Sequence, residues 1–176
     1  MGMKLEADLA DRSRWRAESC SVDKTMAVVG SRSAMLFIRE AMYGTTRFAD
    51  FVDRVGVTEA AAATRLKQLV NDGVLEKRPY REAGARTRYE YELTQKGRDL
   101  LPVILAMINW GDRYLQGGNA PLQIRECSTG EVVVIAPKNS DGVDLSPEDL
   151  EVGVAPTWRS AGRRRSNSGQ LKTAGS

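Results

Sequence analysis

Residues 56–73 run GVTEAAAATRLKQLVNDG, a helix with both ends written into the sequence. Thr58 is an N-cap residue type, and Glu59 beside it suits the positive end of the helix dipole. Ala62, Leu66 and Leu69 follow at four-then-three spacing, which predicts one buried ridge. Asn71-Asp72-Gly73 is a stop, with Gly73 the residue best able to turn left-handed. The element constrains the fold because of what lies just before it. Phe48, Phe51 and Val52 form the apolar face of a short helix over 47–54, with Thr45 and Thr46 as N-cap types ahead of it. Gly56 then leaves room only for a tight turn between two helices.

Two more helices precede this pair. Val22, Met26 and Val29 are spaced as a helix, closed by Gly30. A second helix starts at Ser31 or Ser33 and ends at Gly44, with Met35, Leu36, Ile38 and Met42 expected on its buried face. After Gly73 the period drops to two. Segments 74–78 and 87–93 read as strands, and Arg88-Tyr89-Glu90-Tyr91-Glu92-Leu93 alternates as a half-buried strand should. Glu82-Ala83-Gly84-Ala85 is the expected hairpin tip. Thr94 caps a last long helix, which Pro102 is expected to kink and Gly117-Gly118-Asn119 to end. Leu100, Ile104, Met107, Gly111 and Tyr114 mark one face of it, widened by Leu101, Ile108 and Leu115. Beyond Pro121 the pattern turns to β, with a hairpin of 122–126 and 132–135 around Ser128-Thr129-Gly130. Ser146-Pro147-Glu148-Asp149 is a helix-start signature.

The chain of 176 residues suits one domain with a small appendage. It has no histidine and two cysteines, Cys20 and Cys127. That excludes most catalytic triads, most zinc and haem sites and any histidine acid–base step, and it speaks against a disulfide-stapled secreted fold. There is no Gly-rich phosphate loop and no pair of carboxylates on one expected face, so no enzyme and no cofactor are expected. No apolar run approaches the ~18–20 residues of a membrane span, and the N-terminus lacks an apolar signal segment, so a cytoplasmic protein is expected. The net charge of +3 is unevenly placed. Segment 121–157 is acidic, whereas 158–176 has five basic residues and no acid. The basic pI is thus partly a tail effect and is not by itself a nucleic-acid signature.

The order helix, helix, short helix, helix, hairpin, long helix is that of a winged helix-turn-helix: mainly α, with a β-hairpin wing, here followed by a small β-rich ribbon-like segment. Such a pair puts its second helix, here about 58–72, into a DNA major groove, with the wing, about 74–93, on the backbone. Ala62 faces inward and Ala61 is expected to pack with it. Glu59, Ala60, Ala63, Thr64 and Lys67 face away from the core. An alanine face carries no hydrogen-bonding group; it can meet a thymine methyl or let the helix sit deep. Base reading is then expected from Thr58, Thr64, Arg65 and Lys67, helped by DNA shape. Glu59 either accepts from a cytosine amino group or stays solvated. Arg47 is placed for a phosphate or for a salt bridge to a nearby acid. Lys77, Arg78, Arg81, Arg86 and Arg88 of the wing are placed for phosphates or for Glu82, Glu90 and Glu92.

The string Cys20-Ser21-Val22, Val29-Gly30, Leu36-Phe37-Ile38-Arg39-Glu40, Gly44-Thr45-Thr46-Arg47-Phe48 resembles the opening of HxlR-type transcriptional regulators, within the MarR-like superfamily. Val57-Thr58, Arg65-Leu66, Leu69, Asp72-Gly73-Val74-Leu75, the run from Tyr89 to Arg98 and Trp110-Gly111 continue the likeness, which covers about 20–118. The resemblance implies a bacterial, homodimeric, DNA-binding regulator on a pseudo-palindromic double-stranded operator. Its dimer would be made by the outer helices, here Val22, Met26, Leu100, Ile104, Met107, Ile108, Gly111 and Tyr114. Two departures stand out. Ser21 replaces a common proline, and Gly30-Ser31-Arg32-Ser33 lacks a usual tryptophan, leaving that site less filled or repacked. Cys20 falls where some members carry a redox- or electrophile-sensing cysteine; it could equally be a buried small hydrophobe. Cys127 sits in what looks like the front half of a zinc ribbon without a second ligand pair, so no metal is expected.

The expected organisation is an arm over 1–19, a winged helix-turn-helix over 20–118, a metal-free degenerate ribbon over 121–157 and a disordered basic tail over 158–176. The tail is either simply solvated or a loose DNA attractor. A small-molecule or redox effector is the kind of signal such a protein would take. The alternative is a winged-helix module for protein–protein contact without specific DNA binding.

Overall fold

A computed structural model of the chain describes residues 2–11, 20–81 and 87–155. In chain order it contains β1 (Lys4–Leu5), α1 (Ser21–Val29), α2 (Arg32–Met42), α3 (Phe48–Val55), α4 (Glu59–Asn71), β2 (Leu75–Tyr80), β3 (Arg88–Leu93), α5 (Gln95–Arg98), α6 (Leu101–Tyr114) and β4 (Glu151–Val152). Contacts divide it into two compact units, 20–135 and the pair 1–19 with 136–176. The segment 121–157, taken as one piece on sequence, is therefore split: its first half belongs with the helices and its second half with the N-terminal arm.

The larger unit is built on one apolar cluster. Phe37 and Ile38 of α2, Phe51 of α3, Ala62, Leu66 and Leu69 of α4, and Val74 and Leu75 are all fully buried or nearly so. The rings of Phe37 and Phe51 lie 5.5 Å apart, and Tyr91 of β3 meets Phe51 edge-on at 6.2 Å. On α2 the buried face is Ala34, Phe37 and Ile38, while Met35, Leu36 and Met42 only flank the core. The inward stripe is thus rotated from the one expected, because the large ring of Phe37 takes the centre. Ser31 is the α2 N-cap, its Oγ accepting from Ala34 N–H at 3.1 Å.

Thr45 and Thr46 do not cap α3. Arg47 holds the N-cap position with no side-chain cap bond. Thr45 is buried instead, where its hydroxyl accepts from the Arg54 guanidinium at 2.9 Å and donates to Glu40 at 3.4 Å. Glu40, also buried, is held by Arg39 at 2.6 Å. A buried carboxylate needs such donors to offset its lost hydration.

β2 and β3 pair antiparallel with Leu75 opposite Leu93 and Tyr80 opposite Arg88. The expected hairpin tip lies outside the described residues. The last helix is not one kinked rod. It is two helices, α5 and α6, and Pro102 sits in the first turn of α6. A proline costs little there because that N–H has no helical partner anyway. Thr94 locks the break to the end of α4: its Oγ1 accepts from Gly97 N–H and donates to Gly73 carbonyl at 2.6 Å, while Lys96 Nζ donates to Asp72 carbonyl at 2.7 Å. After α6 a narrow hairpin returns at Gly130, bridged at Arg125 and Val132. Asn109 of α6 ties it down, accepting from Ile135 N–H at 2.9 Å and donating to Val133 carbonyl at 3.4 Å.

In the smaller unit β1 and β4 pair in parallel. The Ser146–Asp149 signature forms a single 3-10 turn, Pro147–Asp149, in which Asp149 accepts from both the N–H and the hydroxyl of Ser146. These two bonds hold the Asp149 carboxyl below its usual range.

A Cβ built on buried Gly97 would stand 2.2 Å from Val74 carbonyl oxygen, an atom that cannot move without breaking the contact to Thr94. Gly97→Ala is expected to cost about 1–3 kcal/mol, the usual range for overpacking, read as a lower urea midpoint at unchanged slope.

Candidate nucleic-acid interface

α3 ends at Gly56, which is left-handed at φ 68° and ψ 50° and donates its N–H to Val52 carbonyl at 3.0 Å. Val57 and Thr58 complete the turn. Thr58 is the N-cap of α4, its hydroxyl accepting from Ala61 N–H at 3.3 Å. The buried ridge of Ala62, Leu66 and Leu69 fixes the rotation of α4 and turns Glu59, Ala60, Ala63, Thr64 and Lys67 to solvent. Ala61 is exposed as well, not packed as expected, because it lies about 100° around the helix from Ala62.

The polar groups on this face are largely occupied. Thr64 hydroxyl donates back to Ala60 carbonyl at 2.9 Å, and Gln68 donates to Asp72 at 3.1 Å. Arg65, expected as a base reader, is half-buried and directs its Nε to Ser33 Oγ on α2 at 3.2 Å. Ser33 lies in the stretch that lacks the tryptophan. Glu59 and Lys67 are exposed, with no hydrogen-bond or ion-pair partner among the described residues. What remains outward is a face of methyl groups flanked by one acid and one lysine.

The wing carries its charges in pairs. Arg78 bonds Glu76 at 2.9 Å and Glu92 at 3.1 Å. The Glu76 bond first, then the Glu92 charge, holds its guanidinium still more firmly protonated than usual. Arg81 and Arg88 are exposed; Arg86 lies outside the described residues. Arg47 forms an antiparallel bridge to Glu90, with 3.9 Å between its Nε and the carboxylate, and its guanidinium stacks 3.4 Å above the Tyr80 ring. Lys77 reaches over Tyr89 and Tyr91 at 5.3 and 5.6 Å. Arg47, Lys77, Tyr80, Arg88, Tyr89 and Tyr91 line a cleft of about 630 Å³ between the first turn of α3 and the wing. Sequence reasoning missed Tyr80, Tyr89 and Tyr91 as site residues; the hairpin register sets Tyr91 opposite Lys77 and Tyr80 opposite Arg88, with Tyr89 opposite Pro79.

Cys20 is exposed at the start of α1, and Cys127 is exposed near the ribbon turn; neither is a buried small hydrophobe. Val22 and Met26 of α1 are exposed. On α6 the expected dimer face divides. Ile104 is in the core, Leu100 and Ile108 pack against it, and Met107, Gly111 and Tyr114 point elsewhere. Val103 and Trp110 join that outer face, with the Trp110 and Tyr114 rings 5.6 Å apart, and Leu101 is exposed at the start of the helix. Among the described residues no cluster of three or more metal-ligating side chains occurs, and no helix is long and apolar enough to cross a membrane.

The cap on α4 is testable. Thr58→Ala should cost about 1 kcal/mol and Thr58→Ser much less, measured as a shift in thermal midpoint.

Comparison with known proteins gives these features a context. The family model described as HxlR-like helix-turn-helix matches residues 28–119. A regulator of Mycobacterium tuberculosis named only as an HTH-type transcriptional regulator is 35% identical over 117 residues, covering 66% of this chain and 73% of its own. YdeP of Bacillus subtilis, named likewise, is 32% identical over 98 residues, covering 55% of this chain and 75% of its own. Among solved structures, the transcription-factor candidate PA1607 superposes with a TM-score of 0.68 at 34% identity, over 76% of this chain and 94% of that one. PA1374 of Pseudomonas aeruginosa gives 0.59 at 28% identity, over 83% and 99%.

Proposed function

Since the chain belongs to the HxlR-like helix-turn-helix family and is a DNA-binding transcriptional regulator, we propose that it acts as a homodimer on a pseudo-palindromic operator, by binding and not by catalysis, in the cytoplasm. α4 enters the major groove, and the partner's α4 enters the next one on the same side, about 34 Å away. The observation that carries this reading is the fixed phase of α4: the Ala62–Leu66–Leu69 ridge leaves Glu59, Ala60, Ala63, Thr64 and Lys67 free to meet the groove.

Because Thr64 is back-bonded and Arg65 is held by Ser33, few side chains remain to hydrogen-bond base edges. Ala60, Ala61 and Ala63 then read thymine methyls, and DNA shape supplies the rest. Arg47, Arg81, Arg86, Arg88 and Lys67 take phosphates. The exposed apolar residues of α1 and α6, chiefly Val22, Met26, Met107, Trp110 and Tyr114, form the dimer, since a monomer seldom leaves such faces bare. A signal acts by changing the spacing of the two α4 helices. Cys20, exposed one residue from α1, is where a redox signal would enter.

Gel shifts against DNA upstream of the protein's own and neighbouring genes, at two salt concentrations, test the reading. Sequence-selective retardation is expected; its absence at any salt would leave the protein-contact alternative. Arg47→Ala should weaken binding across sequences and lower the salt slope by about one unit. Replacing contacted thymines by deoxyuridine removes only methyls and should cost about fourfold in affinity for each, from ~0.8 kcal/mol per buried carbon. Met107→Lys should convert dimer to monomer in sedimentation and weaken operator binding in parallel.

A further inference from the structure

We propose that Arg65 grips one DNA phosphate at the α2 flank of α4 and reads no base, and that Ser33 of α2 is the residue that positions it. The proposal rests on the DNA-binding reading above, but the contact itself needs no particular sequence.

The angle of Arg65 on α4 excludes it from the groove-facing side. At about 100° per residue, it leaves the helix about 60° from buried Ala62 and about 140° from Ala60, the middle of the outward face. Base edges meet that middle, and the sugar-phosphate rim meets the flanks. The side chain is also kept on its flank. Arg65 is half-buried, and its Nε–H donates to Ser33 Oγ at 3.2 Å. Ser33 is half-buried too, with its Oγ 3.4 Å from Ser31 Oγ. Ser31 in turn is the α2 N-cap and accepts from Ala34 N–H at 3.1 Å. With Ser33 accepting from Arg65, its own proton is left for Ser31. The hydroxyl that holds Arg65 is thus itself held to the first turn of α2.

What the tether leaves open decides what Arg65 can bind. A guanidinium has five N–H donors. The bond to Ser33 uses the one on Nε; those on Nη1 and Nη2 have no hydrogen-bond partner among the described residues. No carboxylate among those residues lies within ion-pair distance of Arg65, whereas Arg78 faces Glu76 and Glu92, and Arg47 faces Glu90. Ser33 therefore orients the guanidinium without neutralising it. A full charge, a fixed plane and two open terminal nitrogens suit the bidentate geometry of a phosphate. A guanine would need the same fork laid against its edge at the groove floor, and reaching it would break the bond to Ser33. Ordering a long side chain on binding costs about threefold to tenfold in affinity, and the tether orders this one before DNA arrives.

The test titrates the full chain against two duplexes of equal length, the upstream DNA retarded best in the gel shifts above and an unrelated sequence, over a range of salt. Arg65→Ala should weaken both by about tenfold, the size of one charged hydrogen-bond contact, and lower the salt slope by about one. Ser33→Ala should weaken both by about threefold at an unchanged slope. Ser33→Thr, which keeps the hydroxyl, should restore parental binding. With Arg65 already replaced by alanine, Ser33→Ala should change nothing further, whereas general damage to α2 would add to the loss. Arg65→Lys keeps stem and charge, so it carries the test if Arg65→Ala melts early; it should keep the slope and lose about threefold. Methylphosphonate placed at one phosphate at a time should find a position that costs the parent about tenfold and Arg65→Ala nothing. A preference relaxed at one base pair, with binding to the unrelated duplex kept, would make Arg65 a base reader and overturn the contact. Additive losses from Ser33→Ala and Arg65→Ala would overturn the positioning. Equal binding of both duplexes, with the same loss on Arg65→Ala, would sink the operator reading and leave the phosphate contact standing.

Discussion

The packing of three small and medium side chains, Ala62, Leu66 and Leu69, against the Phe37–Phe51 core decides the rotation of α4. Everything proposed for DNA depends on that rotation. A helix turned by one residue, about 100°, would present a different set of side chains. Ala62 matters as much as the leucines, because a larger residue there would lift α4 away from α2 and α3. The caps then fix where the face begins and ends. Thr58 satisfies the first turn, and the carbonyls of Asp72 and Gly73, in the turn that ends α4, are met by Lys96 of α5 and by its N-cap Thr94. The recognition element is thus clamped at its middle by burial and at its ends by hydrogen bonds.

Local signals of this kind were legible in the sequence. The four-then-three ridge, the Thr58 cap and the Gly56 and Gly73 turns all lie within one or two turns of the chain, and the structure places them as expected. What was not legible depends on contacts far apart in sequence. Arg65 is free on a helical wheel, yet Ser33, thirty-two positions earlier, takes it out of the exposed face. Thr45 has the chemistry of a cap, but Glu40 and Arg54 offer a buried partnership that outweighs it. Ile104 and Met107 are one helical turn apart and alike in hydropathy. Only the direction of the core puts the first inside and the second outside.

α6 shows how one apolar helix can serve two surfaces. Its inner side, Ile104 with Leu105 and Ile108, closes the subunit, and Asn109 spends both ends of its amide on the ribbon backbone. Its outer side keeps Met107, Trp110 and Tyr114 in water. Pro102 contributes by starting α6 afresh after the α5 break. That frees the direction of α6 from the turn that locks α5 onto α4. A single continuous helix would tie both to one axis.

The wing adds a limit on affinity. Three of its glutamates, Glu76, Glu90 and Glu92, sit within ion-pair distance of Arg78 or Arg47. A phosphate approaching either arginine must compete with a carboxylate already there, so the net attraction per cation is smaller than its formal charge suggests. With α4 offering mostly methyls, neither element alone binds tightly. In the proposed dimer, affinity would come from joining two modest half-sites, in which the second binding event is intramolecular.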